Sequence, residues 1–273
     1  MVQQSLNNRN YRGGPLKIGA YQFAVTNNIN QNLETIKKAI VQASLEGVSL
    51  LVFPECALTG YPPRDMENSA SVNFNELTEA YEQLQNLALT HSMHIVVGTI
   101  TKENDSYHNS AIVFRPQQEK IIYHKGALWG WDKDNFSIGN NNGVFEIEGL
   151  KIGVRICFEV RFPEFFRELY REHTDLNVIL FYDASDYNDI ERYDLIKSHI
   201  RTRAVENVTH TLSVNTIRPY QTAPTMLYDK SGVPLIELNR NEASLLVYDL
   251  EHTQLDFGEQ GRKQISDWLI ANS

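Results

Sequence analysis

The chain has 273 residues, of which 42% are hydrophobic and 22% are charged, a balance that is typical of a globular protein and excludes wholesale disorder. The formal net charge is -9 and the basic residues are scattered, which argues against nucleic acid or an anionic membrane surface as the main partner. The sequence has two cysteines, no signal core and no apolar run of the roughly 18 residues that span a bilayer, so a soluble, cytoplasmic protein is expected.

The first part of the chain alternates strand and helix patterns. Residues 1–14 are polar and aperiodic and are predicted to form a flexible arm, so one domain is expected over residues 15–273. A strand is predicted over Leu16–Val25, a helix over Ile29–Gly47 and a wholly apolar strand over Ser49–Phe53. Strand, helix and strand in succession are typical of an α/β domain.

The alternation continues to the end of the chain without a linker. Further strands are predicted over His94–Ile100, Ser110–Phe114, Lys120–Tyr123, Ile152–Ile156, Asn177–Tyr182, Thr209–Asn215, Thr225–Tyr228 and Ser244–Leu250. Further helices are predicted over Leu77–Ala88, Pro163–Arg171 and Asp189–Asn207. Residues 254–273 form a polar tail whose Trp268, Leu269 and Ile270 are apolar enough to dock on a neighbouring subunit.

Three reactive side chains follow three of these predicted strands. Glu55 comes just after the second strand, Lys125 after the strand Lys120–Tyr123, and Cys157 after Ile152–Ile156. Each alone has an ordinary structural explanation, since cysteine is often buried and Glu and Lys are common in turns. Together they favour an active site, because α/β sheets place reactive groups at the ends of their strands.

Cys157 lies on the predicted turn between a strand and the helix that begins at Pro163. The unpaired N–H groups at a helix N-terminus carry partial positive charge and favour a thiolate. The sequence therefore indicates a nucleophile at this position.

The motifs around these residues resemble those of the nitrilase superfamily of carbon-nitrogen hydrolases. They read FPECALTGYPPRD around Glu55, YHKGALW around Lys125 and RICFEVRFPE around Cys157, in the order of that family. The likeness extends to NSAIVF at 109–114, RTRAVEN at 201–207 and TMLYDKSG at 225–232, and so covers nearly the whole chain after the arm.

The resemblance implies a four-layer α-β-β-α sandwich, a homodimer or larger homo-oligomer, and a small-molecule amide or N-carbamoyl substrate. It implies that Cys157 is the nucleophile, Glu55 the general acid and base, and Lys125 an oxyanion donor. No cofactor and no metal are expected. A membrane-bound acyltransferase branch is disfavoured because no spanning segment is predicted.

One position departs from the family pattern. Members often carry a second glutamate after the lysine and ahead of an F-x-x-G turn, and here Asp132 precedes the FSIG of 136–139. Aspartate is one methylene shorter, so Asp132 is either a fourth acid of the catalytic site or a surface acid.

Other residues of the motifs are assigned structural roles. Cys56 should face away from the pocket, because neighbouring side chains of extended backbone point to opposite faces, so a disulfide with Cys157 is not expected. Glu159 and Arg161 are expected to support the nucleophile turn by pairing. His124 is expected to alternate with Lys125 along a strand rather than to bind metal.

The substrate pocket is assigned to aromatic residues near the motifs, namely Tyr61, Trp129, Phe158 and Tyr187. The loop GYPPRD also resembles the glutaminase domains of NAD synthetases, although these residues show no nucleotide-binding loop. Nitrile hydrolysis is a minority activity in the superfamily that the motifs resemble, so an amidase is favoured over it. A catalytically silent metabolite-binding or scaffold protein and a thiol redox sensor stay open as alternatives.

Overall fold

The computed structural model describes residues 14–251 and 253–272. The predicted arm at 1–14 lies outside the described residues except for Gly14. The helices are α1 (Ile29–Leu45), α2 (Phe74–Thr90), α3 (Trp131–Asn135), α4 (Pro163–Arg171), α5 (Ile190–Asn207) and α6 (Phe257–Ala271), with short 3-10 turns at Ser69–Ser71 and Cys157–Arg161. The strands are β1 (Leu16–Gln22), β2 (Leu50–Val52), β3 (His94–Glu103), β4 (Ser106–Arg115), β5 (Gln118–His124), β6 (Val144–Ile147), β7 (Leu150–Ile156), β8 (Leu176–Phe181), β9 (Ala184–Ser185), β10 (His210–Asn215), β11 (Tyr220–Gln221), β12 (Met226–Tyr228), β13 (Pro234–Glu237) and β14 (Ser244–Leu250).

Twelve of these strands form two six-stranded sheets. The first sheet has the order β14-β1-β2-β3-β4-β5 and the second has the order β13-β12-β10-β8-β7-β6. Three neighbouring strands of each sheet are parallel, β1, β2 and β3 in the first and β7, β8 and β10 in the second. The flanking strands are antiparallel, and β9 and β11 form a separate ribbon. Loops at the carboxyl ends of the parallel strands can therefore meet at one edge.

Three apolar layers hold the two sheets and the helices together. One layer packs α1 and α2 on the first sheet and includes Ile36 and Leu84. A second, with Val52 and Val178, lies between the sheets, and a third, with Ile200, packs α4 and α5 on the second sheet. Helices, two sheets and helices in succession are the predicted four-layer α-β-β-α sandwich, and this prediction is confirmed.

Most predicted elements are present, with ends displaced by a few residues. The helix predicted over Pro163–Arg171 has those bounds, and the side chains that α5 buries include Tyr193, Ile196, Ile200 and Ala204. The polar tail proves to contain the fifteen-residue helix α6, whose buried side chains include the polar Glu259 and Ser266. Within the described parts of the chain, no helix is long and apolar enough to cross a membrane.

Candidate active site

The segment after β2 carries Glu55 into the interior of the protein. Glu55 is 1% exposed, and its backbone N–H donates to the carbonyl of Phe181 at the end of β8, so the two sheets touch here. The segment crosses β3 at Gly98, where a Cβ would lie 2.2 Å from the carbonyl oxygen of Pro54. Only a glycine permits this close approach of the two backbones. Gly98 therefore helps to fix the depth of the Glu55 carboxylate.

Three donors hold the Glu55 carboxylate. Its Oε1 accepts from Nδ2 of Asn109 at 2.7 Å and from Nζ of Lys125 at 2.9 Å, and its Oε2 accepts from the backbone N–H of Tyr182 at 2.7 Å. Asn109 and Tyr182 lie outside the predicted set of site residues. Asn109 begins the NSAIVF motif of 109–114, which could have pointed to it, whereas Tyr182 acts through its backbone, which no side-chain pattern reveals.

Lys125 lies between two carboxylates. It directly follows β5, is 2% exposed, and its Nζ lies 2.9 Å from Glu55 and 2.7 Å from Oδ2 of Asp132. Burial opposes the charged form, but the charges of Glu55 and Asp132 raise the pKa of Lys125 well above its ordinary value. The ammonium is therefore a fixed positive charge at the site.

Asp132 reaches Lys125 although its side chain is short. The helix α3 carries it inward, and its Oδ1 accepts a hydrogen bond of 2.8 Å from the hydroxyl of Tyr61. Tyr61 in turn stacks on Tyr182 with ring centroids 5.1 Å apart. Asp132 is thus buried and belongs to the ionic cluster, and the alternative of a surface acid is wrong.

Cys157 begins a 3-10 turn directly after β7. Its φ of 45° is in the left-handed region, a costly conformation for a non-glycine residue that is often found at active sites. In the pairing of β7 with β8, Ile156 lies opposite Leu180, so Cys157 comes beside Phe181. Because Phe181 also accepts from Glu55, the nucleophile turn and the Glu55 carboxylate share the end of β8 as a neighbour.

The electrostatics of Cys157 correct the prediction of a readily formed thiolate. Burial raises the pKa of the Cys157 thiol well above its ordinary value, and the charge of Glu55 raises it further. Lys125 lowers it, but by less than the other two causes raise it. Burial and the nearby charge of Glu55 therefore favour the protonated form of this thiol.

Glu159 fastens the nucleophile turn to the lysine turn. Its Oε1 accepts from the hydroxyl of Tyr123 and from the backbone N–H of Gly126, each at 2.6 Å, and its Oε2 accepts from the N–H of Ile156 at 2.6 Å. Burial raises the pKa of Glu159, against the lowering effect of these donors and of the Arg155 charge. The expected support of the turn is present, but through hydrogen bonds to backbone and tyrosine.

Arg161 follows a different course from Glu159. Its guanidinium lies over the ring of Phe158, 5.8 Å from the ring centroid. An ion pair between Glu159 and Arg161 is therefore not the device that supports the turn.

The remaining aromatic residues predicted for the pocket lie farther out. Trp129 and Tyr187 are 69% and 67% exposed, and the Tyr187 hydroxyl donates to Asp189. Phe158 is half-buried on the nucleophile turn and packs edge-on against Phe162, with centroids 5.1 Å apart. Only Tyr61 touches the ionic cluster directly, and the contacts of the other three with substrate stay a prediction.

The two cysteines are free, and Cys56 packs in the apolar layer beside α1 and α2. Its φ of 50° shows that the extended backbone assumed for it is wrong, although the side chain does lie in the core.

His124 is the last residue of β5, directly before Lys125. Its ring forms hydrogen bonds with the hydroxyl of Ser110 and with the carboxylate of Glu103. Among residues 14–251 and 253–272, no group of three or more His, Cys, Asp or Glu is arranged to hold a metal ion.

Comparisons with known proteins agree with this geometry. The model of the Carbon-nitrogen hydrolase family matches residues 17–256. The 2-oxoglutaramate amidase of Bacillus subtilis (strain 168) is 30% identical over 180 residues, which are 64% of this chain and 66% of that protein. The glutamine-dependent NAD(+) synthetase of Aquifex aeolicus is 24% identical over 258 residues, 92% of this chain and 44% of the synthetase. Both alignments span less than two-thirds of the relative's own length.

A solved structure gives the likeness in three dimensions. The crystal structure of an amidase from Nesterenkonia sp. superposes with a TM-score of 0.78 at 25% sequence identity. The superposition covers 96% of this chain and 97% of that amidase. The similarity therefore extends over the whole described sandwich.

Proposed function

The chain belongs to the carbon-nitrogen hydrolase family, and from this premise we propose that it is a cysteine-dependent amidase acting on small linear amides or N-carbamoyl compounds. The observation that carries the proposal is the buried cluster of Glu55, Lys125 and Asp132 beside the nucleophile turn of Cys157. A base, a fixed cation and a thiol at one sheet edge are the groups that acyl transfer requires.

Acylation uses Glu55 as the proton carrier. The Cys157 thiol gives its proton to Glu55 as sulfur attacks the amide carbon, and the carbonyl oxygen becomes an oxyanion. When this intermediate collapses, the carbon-nitrogen bond breaks and Glu55 returns the proton to the departing nitrogen. Ammonia or an amine leaves, and the acyl group stays on sulfur as a thioester.

Lys125 and the nucleophile turn stabilise the oxyanion. The Lys125 ammonium is held in place before substrate binds, since two carboxylates fix it. A backbone N–H of the turn after Cys157 supplies the second donor. Preorganised donors of this kind need no rearrangement as the negative charge develops.

Deacylation repeats these steps with water. Glu55 takes a proton from water as the water oxygen attacks the thioester, and the carbon-sulfur bond breaks to restore the thiol. Asp132 acts as a positioning acid that keeps the Lys125 ammonium charged and in place while Glu55 changes its protonation state. The contact of Asp132 with Lys125 supports an active enzyme over a silent scaffold.

We also propose that the protein is a cytoplasmic homo-oligomer. Both cysteines are free, which is typical of proteins kept in a reducing compartment. Helix α6 leaves Phe257, Ile265, Trp268 and Leu269 exposed, which provides an apolar surface for a second copy.

The experiment is ammonia release from a panel of small amides, carbamoyl compounds and nitriles, with the wild-type chain and Cys157→Ala compared. Turnover of amides that falls by at least about 10⁴-fold in Cys157→Ala is expected, because the nucleophile is the group on which the others act. A Cys56→Ala variant is the matched control and should keep its activity. Turnover confined to nitriles, or undiminished in Cys157→Ala, would refute the proposal.

A further inference from the structure

A second pair of opposite charges lies at the carboxyl end of β8, outside the cluster of Glu55, Lys125 and Asp132. Asp183 follows Tyr182, the residue whose backbone N–H holds Glu55. Its carboxylate is 6% exposed and forms an ion pair with Arg192 on the first turn of α5. The reaction as proposed gives this pair no task.

The Asp183 backbone and side chain are fixed from several sides. Its N–H donates to Oδ1 of Asn215 at 3.0 Å, and its carbonyl accepts from Nδ2 of Asn215 at 2.7 Å and from the N–H of Thr222 at 3.0 Å. The Thr222 hydroxyl also donates to its carboxylate. A carboxylate held in this way fixes the position of the Arg192 guanidinium that binds to it.

Arg192 is held along one edge of its guanidinium only. Nε donates to Oδ1 of Asp183 at 2.8 Å and Nη2 donates to Oδ2 at 3.0 Å, a bidentate contact. Among the described residues, none accepts a hydrogen bond from Nη1, and the side chain is 46% exposed. The outer edge of the guanidinium therefore stays open to a second planar anion.

The pair follows the end of β8 that also neighbours Glu55 and Cys157. The N–H of Tyr182, one residue before Asp183, donates to Oε2 of Glu55 at 2.7 Å, and Phe181, two residues before Asp183, comes beside Cys157 in the pairing of β7 with β8. Hydrogen bonds to Asp183 raise the pKa of Arg192, so the guanidinium is a fixed positive charge. Burial and Glu55 dominate the raised pKa of the Cys157 thiol, and Asp183 contributes to it. The bidentate contact with Asp183 thus ties Arg192, whose outer edge is open, to the strand end that holds Glu55.

We propose that Arg192, fixed by Asp183, binds a carboxylate at the far end of the substrate and so selects linear amides that carry a free carboxylate opposite the amide. This inference rests on the proposed amidase function. An arginine already held by one carboxylate loses little side-chain entropy on binding another, and its fork matches a carboxylate in two hydrogen bonds. The oxygens of Asp183 already accept from Arg192 and Thr222, so a cationic substrate group is disfavoured at this place.

The test compares amides of equal length with and without the carboxylate. Succinamate is paired with butyramide, and glutaramate with valeramide, and the ratio of kcat/KM within each pair is measured. In the wild-type chain the carboxylate-bearing amide should be preferred, and Arg192→Gln should lower the ratio by about 10- to 100-fold, mainly through KM. Arg192→Lys keeps the charge without the fork and should retain part of the ratio.

A matched control is a second arginine whose carboxylate partner lies on the loop after β8. Arg64 donates to Asp186 at 3.2 Å, three residues after Asp183, so Arg64→Gln also breaks one cation–carboxylate pair there. The ratio should be unchanged in Arg64→Gln. A purely structural role of Arg192 would lower kcat/KM for both members of each pair together and leave their ratio as it was.

Two results would overturn the inference and leave the amidase proposal intact. One is a wild-type chain that hydrolyses butyramide at least as well as succinamate. The other is a preference for succinamate that survives in Arg192→Gln and is lost in Arg161→Gln, which changes an arginine of the nucleophile turn itself. Absence of turnover with every amide would refute the amidase proposal and this inference together.

Discussion

The two sheets contribute different kinds of groups to the candidate active site. The first sheet supplies Glu55, Lys125 and, through α3, Asp132, three buried groups in which the Lys125 ammonium lies within 3 Å of each carboxylate. The second sheet supplies Cys157, an uncharged and half-buried thiol on a left-handed turn. That turn is held by hydrogen bonds from Ile156 and Gly126 to Glu159 rather than by the ions.

Substitutions in the two sheets should therefore act in different ways, through uncompensated charge in the first sheet and through displaced groups in the second. The ions of the first sheet stabilise one another, so removal of one leaves uncompensated charge in the interior. The nucleophile turn depends on the alignment of a few backbone groups, so damage there changes where the sulfur lies. Variants on the first sheet should therefore reduce stability and activity together, whereas variants of the nucleophile itself should reduce activity alone.

The largest effect is expected for Lys125→Met. It removes the proposed oxyanion donor and leaves Glu55 and Asp132 buried without their cation. We expect a loss of at least about 10²- to 10³-fold in kcat and of about 3–5 kcal/mol in the free energy of unfolding. Urea denaturation and steady-state kinetics measure the two losses. Cys157→Ala, the counterpart on the second sheet, should change the free energy of unfolding by no more than about 1 kcal/mol.

A double variant sharpens this prediction. Adding Asp132→Asn to Lys125→Met removes one of the two uncompensated carboxylates, so the double variant should be more stable than Lys125→Met alone. Equal stability of the two would mean that the ions do not depend on one another. The contrast between the sheets would then be wrong.

A smaller effect is expected for Glu159→Gln on the second sheet. Glutamine has one acceptor oxygen, so its amide nitrogen would face either the N–H of Ile156 or the donors at Gly126 and Tyr123. We expect kcat to fall about 10- to 100-fold and the free energy of unfolding to fall by about 1–3 kcal/mol. Glu164→Gln, the same change on the exposed first turn of α4, is the control and should alter neither. Full activity in Glu159→Gln would show that the turn holds its shape without these bonds.

The positions of the reactive residues could be predicted from the sequence because strands and their ends leave local patterns. Glu55, Lys125 and Cys157 each follow an apolar strand, and the pairing of strands then brings them together. The electrostatic state of Cys157 could not be predicted, since it depends on burial and on Glu55, which lies about a hundred residues away along the chain. The left-handed φ of Cys56 and Cys157 likewise leaves no composition signal.

Two helices escaped prediction for opposite reasons. The five residues of α3 are too few to show a helical period, although this helix places Asp132 against Lys125. Helix α6 is long enough, but its apolar Ile265 and Trp268 are exposed while Glu259 is buried, so its pattern does not indicate a face on the core. For both helices, contacts with other parts of the molecule determine which side chains are buried, and the helix's own sequence does not show these contacts.

The least intrusive way to probe the contrast is to titrate the thiol itself. Because burial and the Glu55 charge raise the pKa of Cys157, alkylation by iodoacetamide should accelerate with pH through a midpoint above the ordinary thiol value of about 8.5. Glu55→Gln removes an anion that disfavours the thiolate and frees Lys125 to attract it, so the midpoint should move to lower pH while amide turnover is lost. Peptide-resolved mass spectrometry separates Cys157 from Cys56, and Glu79→Gln, on the exposed face of α2, should leave the midpoint in place. A midpoint that stays or rises in Glu55→Gln would mean that the charge of the first sheet does not reach the nucleophile of the second.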